Sequence, residues 1–585
     1  MIYERLVAMN DDWVRSGLER QIADEAHPRR GGVIDPATGI AWPNHLGTPK
    51  EMAVWASALV NPDSRFYRDA ALTKALEEAA DFMLRVQHAD GTISPGWTNY
   101  HSPPDTGFVV VGLAQVAKLL GRSGLPELSE SKKRIDRFLD RAGTALLTGG
   151  CHTPNHRWVI AAALAWLYEK SGIPDYARRA DSWLAEGIDI TDDGEWTERS
   201  NGIYNAVSDL MLYYAAMLLN KPELLESVRK NLRMMVYLVH PDGEVVTDYS
   251  GRQDFGQRFD LSNYFMIYQL MAYHDRDPVF AAMAELAFRS IAKPGDLPNQ
   301  ALLAFLLKPE MQKADVPKAE LPDHYDVLLN GTFPRETLLE KLYANGVPTP
   351  LSHSKLHTEF GAAVVRHRRG DTSLTIMAES PTMLALRHGE ARLLGLQLAS
   401  SFDPGILRMQ WLEARGNGAY SLYAESTKGY SGPLPSEVLG GTLPDGTSCP
   451  WYLLPHRTRA VTHEQKLTVW VDIAPEADGW SVAVESSGPE DVLGQLFLFF
   501  GPGGTFEGNG LADAKEGSLI WKEGTVRYRT GRDVLEIEAI EGVGEHTCAA
   551  VNGVTLPRHC TTIIANFLMP SKKSFRIRLS KDSNA

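Results

Sequence analysis

Apolar segments return along the first 325 residues with a period too long for one helix and about right for two. Met52–Val60, Phe108–Leu120, Trp158–Tyr168, Asn205–Leu219 and Leu261–Tyr273 each carry apolar residues at helical spacing. They begin near 52, 108, 158, 205 and 261, in steps of 56, 50, 47 and 56 residues. More charged helical stretches lie between them, at Ala70–Gln87, Lys132–Leu147, Pro174–Ala185 and Pro222–Val239. One step therefore holds a helical hairpin, and hairpins of this kind bury their apolar faces only by stacking on their neighbours. The turns repeat as well. Asp90-Gly91, Asp193-Gly194 and Asp242-Gly243 each separate a charged from an apolar helix, and Asp-Gly supplies the left-handed position of a tight turn. A sixth apolar helix is expected at Pro298–Leu307. Six hairpins predict an (α/α)6 toroid over residues 1–325, with apolar helices inside and charged helices outside. An open solenoid has the same period and is the alternative.

Beyond Pro322 the period changes to two. Gly361–Arg366, Thr372–Ala378, Leu467–Ile473, Ser481–Glu485, Gln495–Phe500, Thr525–Tyr528, Val534–Ile540, Thr561–Phe567 and Phe575–Leu579 read as strands, with Gly and Pro between them. An antiparallel β-sandwich over residues 326–585 is the economical reading. Lys313–Ser352, rich in Pro and charge, reads as the linker. The chain is thus multidomain, α then β, as 585 residues imply.

Lys plus Arg number 59 against 73 Asp plus Glu, a formal net charge of -14. No basic surplus exists to displace the counterions of a nucleic acid, so that class of partner is excluded. No apolar run has the length of a membrane span, and the start lacks an apolar signal core, which points to a cytoplasmic enzyme. Cys151, Cys449, Cys548 and Cys560 lack metal-finger spacing and read as free thiols, although Cys548 and Cys560 could pair.

In a helical toroid the loops leading into the inner helices gather at one end of the ring. Here they carry Asn44-His45; Trp97 to His101, including Asn99 and Tyr100, with Asp105; His152 with Asn155, His156 and Arg157; Glu195 and Glu198 to Asn201, including Arg199, with Tyr204; and Tyr249 to Asn263, including Arg252, Gln253, Asp254 and Arg258. Any one of these suits a helix cap. Together they resemble no metal site, phosphate loop or nucleophile elbow. Aromatic rings beside Asn, His and Arg suit sugar rings, with Arg for carboxylates. One reaction needs this set without a metal or other cofactor: β-elimination on a uronic acid glycan. Taking the C5 proton builds charge on a group that is already anionic. The site must therefore neutralise the carboxylate while a base takes the proton and an acid protonates the departing O4.

Asn155-His156 opens one inner helix and Tyr204 opens the next, 48 residues later. Phe360–Arg366, Thr372–Pro381, the turn His388-Gly389-Glu390 and Leu393–Ala399 follow in the β-region. This resembles the heparinase II/III-like and oligoalginate lyase group of polysaccharide lyases, which pair an α/α toroid with an antiparallel β-sandwich. The resemblance implies that Asn155 neutralises the substrate carboxylate and that Tyr204 is the acid, with a second role as base left open. His156 and His388 are then base or carboxylate-neutralising residues. The group's His-rich turn is shortened here to His388 and Glu390, which leaves His353 and His357 as alternatives to His388 and a structural metal in the β-domain in doubt. Asn99, Tyr100, His101, Arg157, Arg199, Asn201, Tyr249, Arg252 and Arg258 are the expected substrate-binding residues. The acidic net charge favours short or sparsely charged glycans and exolytic action. A glycoside hydrolase using two of Asp105, Glu198 and Asp254, or a non-catalytic glycan-binding protein, are the competing readings.

Overall fold

The computed structural model describes residues 2–345, 357–438, 451–508, 510–514, 517–551, 553–557 and 559–582. It divides into two compact units, Met1–Pro322 with Phe333–Gly361, and Asp323–Thr332 with Ala362–Ala585. His353 and Cys449 lie outside the described residues.

The first unit is six helix pairs: α1 (Ile2–Glu19) with α2 (Thr48–Val60), α3 (Ala70–Val86) with α4 (Pro103–Ser123), α5 (Ser129–Thr148) with α6 (Pro154–Ser171), α7 (Pro174–Leu184) with α8 (Tyr204–Leu218), α9 (Leu225–Met235) with α10 (Phe265–Asp275), and α11 (Pro278–Arg289) with α12 (Ala301–Leu307). The even-numbered helices are the apolar set, and α2, α4, α6, α8 and α10 pack in succession. Their all-round apolar surfaces fit a position enclosed by other helices. In α6 every residue from Trp158 to Leu167 is buried. The outer helices are one-sided: α5 buries Ile135, Phe138, Leu139, Ala142 and Leu146 and presents charge elsewhere.

The Asp-Gly turns do what their composition demands. Gly91 and Gly194 take φ of +86° and +104°. A Cβ there would also stand 2.1 Å from the Arg141 carbonyl oxygen and 2.3 Å from that of Lys230, so the turns rest directly on the next outer helix.

Ring closure follows from the last pair. α12 packs on α2 and α4 as well as on α1, and the short 3-10 segment Leu297–Asn299 packs on α4. The contact is close because α4 carries Gly112, where a Cβ would lie 2.1 Å from Leu297 Cγ. The unit is therefore a closed (α/α)6 toroid and not an open solenoid. Gly112→Val forces Leu297 and the closing segment outward. A loss of about 1–3 kcal/mol is expected in urea unfolding, and an unchanged midpoint would remove Gly112 from the closure.

Among the described residues the second unit has eighteen strands: β1 (His324–Leu329), β2 (Val364–Arg369), β3 (Thr372–Met377), β4 (Leu384–His388), β5 (Ala391–Ser400), β6 (Gly405–Ile406), β7 (Trp411–Gly416), β8 (Ala419–Ser431), β9 (Val461–Glu476), β10 (Gly479–Ser487), β11 (Val492–Phe500), β12 (Thr505–Glu507), β13 (Leu511–Asp513), β14 (Leu519–Trp521), β15 (Val526–Thr530), β16 (Asp533–Ile537), β17 (Thr561–Met569) and β18 (Lys572–Lys581). One sheet runs β1-β2-β3-β4-β5-β11-β17-β14-β13 with β6 beside β5, and the other runs β12-β15-β16-β18-β10-β9-β8-β7. Pairing is antiparallel except between β14 and β17. Leu396, Leu496 and Ile563 of the first sheet share one core with Val471, Val482 and Ile577 of the second, which makes the unit a sandwich.

The stretch read as a linker carries a strand and a helix. His324–Leu329 pairs with β2, and Arg335–Asn345 is a helix of the first unit. Cys151, Cys548 and Cys560 are free thiols. No helix among the described residues is long and apolar enough to cross a membrane.

Candidate active site

The loops into the inner helices surround a cleft of about 880 Å³ in the toroidal unit. Its wall combines Trp13, His45, Trp97, Asn99, Asp105, Phe108, His152, His156, Tyr204, Arg252 and Gln253, with Asp260, Lys293 and Asp296 toward the closing helix pair.

The placement begins with helix starts. Pro154 occupies the first turn of α6, where a missing N–H costs nothing, so Asn155 and His156 sit at the cleft end of that helix. Tyr204 opens α8, its N–H donating to Ser200 Oγ at 3.2 Å. Ser200 donates in turn to Asp254, which also accepts from Gly202 N and Ser250 Oγ. Asp254 is fully buried and committed to holding this loop, so it is unsuited to the hydrolase role allowed for it.

Glu198 organises the centre. One of its oxygens accepts from the Asn155 backbone N–H at 2.9 Å and from Asn155 Nδ2 at 2.5 Å, and the other pairs with Arg252. The Arg252 guanidinium carbon lies 4.5 Å from the Tyr204 ring centroid. The Tyr204 hydroxyl accepts from Gln253 Nε2 at 2.6 Å. Burial pushes the Tyr204 phenol above its ordinary value, and the Gln253 donor opposes that shift.

Two cleft histidines, His156 and His45, are shifted toward their neutral forms. Burial, reinforced by His152, Arg252 and His45, brings His156 down from 6.5 to about 3. Its ring stands edge-on to His152 at 5.1 Å, and its Nδ1 has no hydrogen-bond partner among the described residues. His45 is stacked on Phe108 at 4.5 Å. Burial drives His45 and the nearby Asp296 both toward their uncharged forms.

No protein-family model and no curated protein sequence matches the chain. Solved structures do. One heparinase III aligns over 98% of this chain and 84% of its own, with a TM-score of 0.52 at 11% identity. A second heparinase III covers 92% of this chain and 77% of its own, with a TM-score of 0.51 at 10% identity. A heparan sulfate lyase from Pedobacter heparinus aligns over 98% and 83% at 11% identity, with a TM-score of 0.48. The chain has the heparinase III fold.

On this heparinase III-like toroid the expected residues fall into groups. His156, Tyr204, Asn99 and Arg252 line the cleft. Asn155 stands one layer behind, almost fully buried against Glu198. Several expected substrate-binding residues are turned to structural work. Arg157 lies over Trp158 and pairs with Asp189 and Glu186. Arg199 is fully buried, 3.3 Å from Glu195, donates to the Glu359 carbonyl and lies over Tyr249, itself buried. Asn201 is buried and donates to the Val246 carbonyl. Arg258 pairs with Glu244 outside the cleft wall. His101 stacks on His88 and contacts Asp90, while Tyr100 is 73% exposed. His357 is buried 3.6 Å from Glu359. His388 belongs to the β unit, where it ends β4 and its Nδ1 lies 2.8 Å from Thr372 Oγ1. Lys293 and Asp296 are cleft residues that sequence reasoning missed. Asp296 carried a signal, as an Asp two residues before Pro298 of the sixth inner helix.

Because burial depresses the His156 value, the folded state binds fewer protons than the unfolded chain between about 3 and 6.5. Its contribution to stability is present above 6.5 and is lost as pH falls through that window. The melting temperature should drop on acidification, and His156→Gln should flatten the drop. Parallel curves for the two proteins would contradict a buried, neutral His156.

Proposed function

We propose that the chain is a carbon–oxygen lyase that cleaves a uronate-containing oligo- or polysaccharide by β-elimination. The observation that carries the reading is one connected cluster at the cleft: Asn155, Glu198, Arg252 and Tyr204, with neutral His156 beside them. The substrate carboxylate would sit against Arg252, whose charge stabilises what gathers there as C5 loses its proton, while the Asn155 amide behind it holds the Glu198 carboxylate that anchors Arg252. His156 is neutral with an unpartnered Nδ1 among the described residues, so it suits the base once the substrate carboxylate lies beside it to offset the charge it gains. Tyr204 keeps its proton through burial and suits the acid that protonates O4 as the C4–O4 bond breaks. The electron pair of the C5–H bond becomes the C4=C5 double bond, conjugated with the carboxylate. Trp97, exposed at the cleft wall, offers a ring face to a neighbouring sugar. The acidic whole-chain field supports exolytic action on short or sparsely charged chains.

The test is ultraviolet absorbance of the conjugated product on a panel of uronate oligosaccharides. Tyr204→Phe should lower kcat by ~10²–10⁴-fold with little change in melting temperature. Glu198→Gln should also lower kcat, because Arg252 and Asn155 lose their shared anchor. Full activity of Tyr204→Phe would defeat the assignment. A hydrolase using the cleft carboxylates would instead lose turnover in Asp105→Asn or Asp296→Asn and give a saturated product.

A further inference from the structure

A second depression, of about 330 Å³, lies on the β unit and is walled by Trp411, Tyr423 and Trp470 with Glu413, Arg415 and Ser421. The three rings come from adjacent strands. Trp411 on β7 is paired directly with Tyr423 on β8, and Tyr423 with Trp470 on β9. Strand alternation puts their neighbours Leu412, Leu422, Val469 and Val471 into the sandwich core, so the rings stand on the opposite face. Ring centroids are 5.3 and 5.2 Å apart and tilted by 39° and 50°. Trp411 is 43% exposed and Trp470 38%. The result is a row of three rings running across the strands to the sheet edge.

Cross-strand aromatic pairs strengthen a sheet, and that accounts for the pairing. It does not account for rings left this open with polar groups set along both sides. The next paired positions on one side are Glu413, Ser421 and Asp472. There Arg415 Nε donates to Ser421 Oγ at 2.8 Å, and Ser421 donates to Asp472. On the other side stand Glu425 and Thr468, with the Tyr423 hydroxyl donating to Glu425 at 2.6 Å and Lys466 paired with Glu425 at 2.7 Å. An apolar side chain of a protein partner seeks a dry pocket with its polar groups at the rim. A pyranose has the complementary make-up: C–H faces that lie on rings and an equatorial belt of hydroxyls that meets carboxylates and guanidinium. Charge narrows the choice. Glu413, Glu425 and Asp472 outnumber Arg415 and Lys466, and each of these cations already faces a carboxylate. A densely anionic chain would be repelled, whereas neutral hydroxyls find donors and acceptors.

We propose that Trp411, Tyr423 and Trp470 form a glycan-binding platform on the β unit, separate from the cleft, that takes a neutral pyranose stretch of an oligo- or polysaccharide. The class of occupant draws on the glycan reading of the cleft, but binding here requires no turnover.

The test is affinity electrophoresis of the full chain in native gels containing hydroxyethylcellulose, galactomannan, xylan or alginate. At least one neutral polymer should retard the wild type. Trp470→Ala and Trp411→Ala should weaken that retardation roughly tenfold each, and Trp470→Phe should retain most of it. Alginate mobility and the elimination rate on a short uronate oligosaccharide should not change. Circular dichroism of the variants separates lost stacking from lost folding. Retardation by no neutral polymer, or equal retardation of wild type and both alanine variants, would overturn the platform. So would a wild-type dimer in light scattering that Trp411→Ala converts to monomer, because the row would then join two copies of the chain. Failure of the lyase reading shows separately, as no product absorbance from a wild type that the gels still retard.

Discussion

The Glu198 carboxylate binds three hairpins to one another at the mouth of the toroid. It receives the Asn155 amide and backbone N–H from the start of α6, and it pairs with Arg252 from the loop before α10. Arg252 in turn covers the ring of Tyr204 at the start of α8. A carboxylate buried to this degree is tolerable only with charge-assisted partners on both oxygens, and removing either partner leaves a costly unpaired charge. The same contacts fix where the amide, guanidinium and phenol stand relative to each other. Fold stability and site geometry therefore depend on one group.

Burial then sets the proton positions. His156, His45, Tyr204 and Asp296 all sit where charge is poorly solvated, and each is driven toward its neutral form. The cleft therefore holds an imidazole and a phenol, both biased toward their neutral forms. Burial disfavours the charged form of His156, whereas Arg252 brings a cationic side chain to the cleft wall through its pairing with Glu198.

Much of this was legible in the sequence. The hairpin period, the Asp-Gly turns and the switch to a period of two each follow from the alternation of buried and exposed positions, and they locate the ten helices and most of the strands named from them. Two helices of the six pairs escaped. Ile2–Glu19 precedes the first apolar repeat. Pro278–Arg289 follows α10 almost without a break, since the turn is made by Arg276 at φ +56° in place of a glycine. The hairpin β7–β8 escaped as well, because one face is aromatic and charged and so its alternation is between two kinds of side chain and not between apolar and polar. Of the residues expected at the cleft, His156 and Tyr204 line it, while Arg157, Arg199 and Arg258 pair with carboxylates away from its wall. An arginine that faces a cleft and one that pairs away from it look alike in sequence; only the position of Asp189, Glu195 or Glu244 distinguishes them.

The amino-acid order alone determined the repeat, the change of domain type and the helix starts that carry Asn155, His156 and Tyr204, since local periodicity and capping govern these. Tertiary structure decided ring closure, through the contact that Gly112 permits with Leu297. It also decided which polar groups face the cleft and which hold its walls, because that depends on partners many residues away, such as Glu198 with Arg252, whose meeting no local pattern encodes.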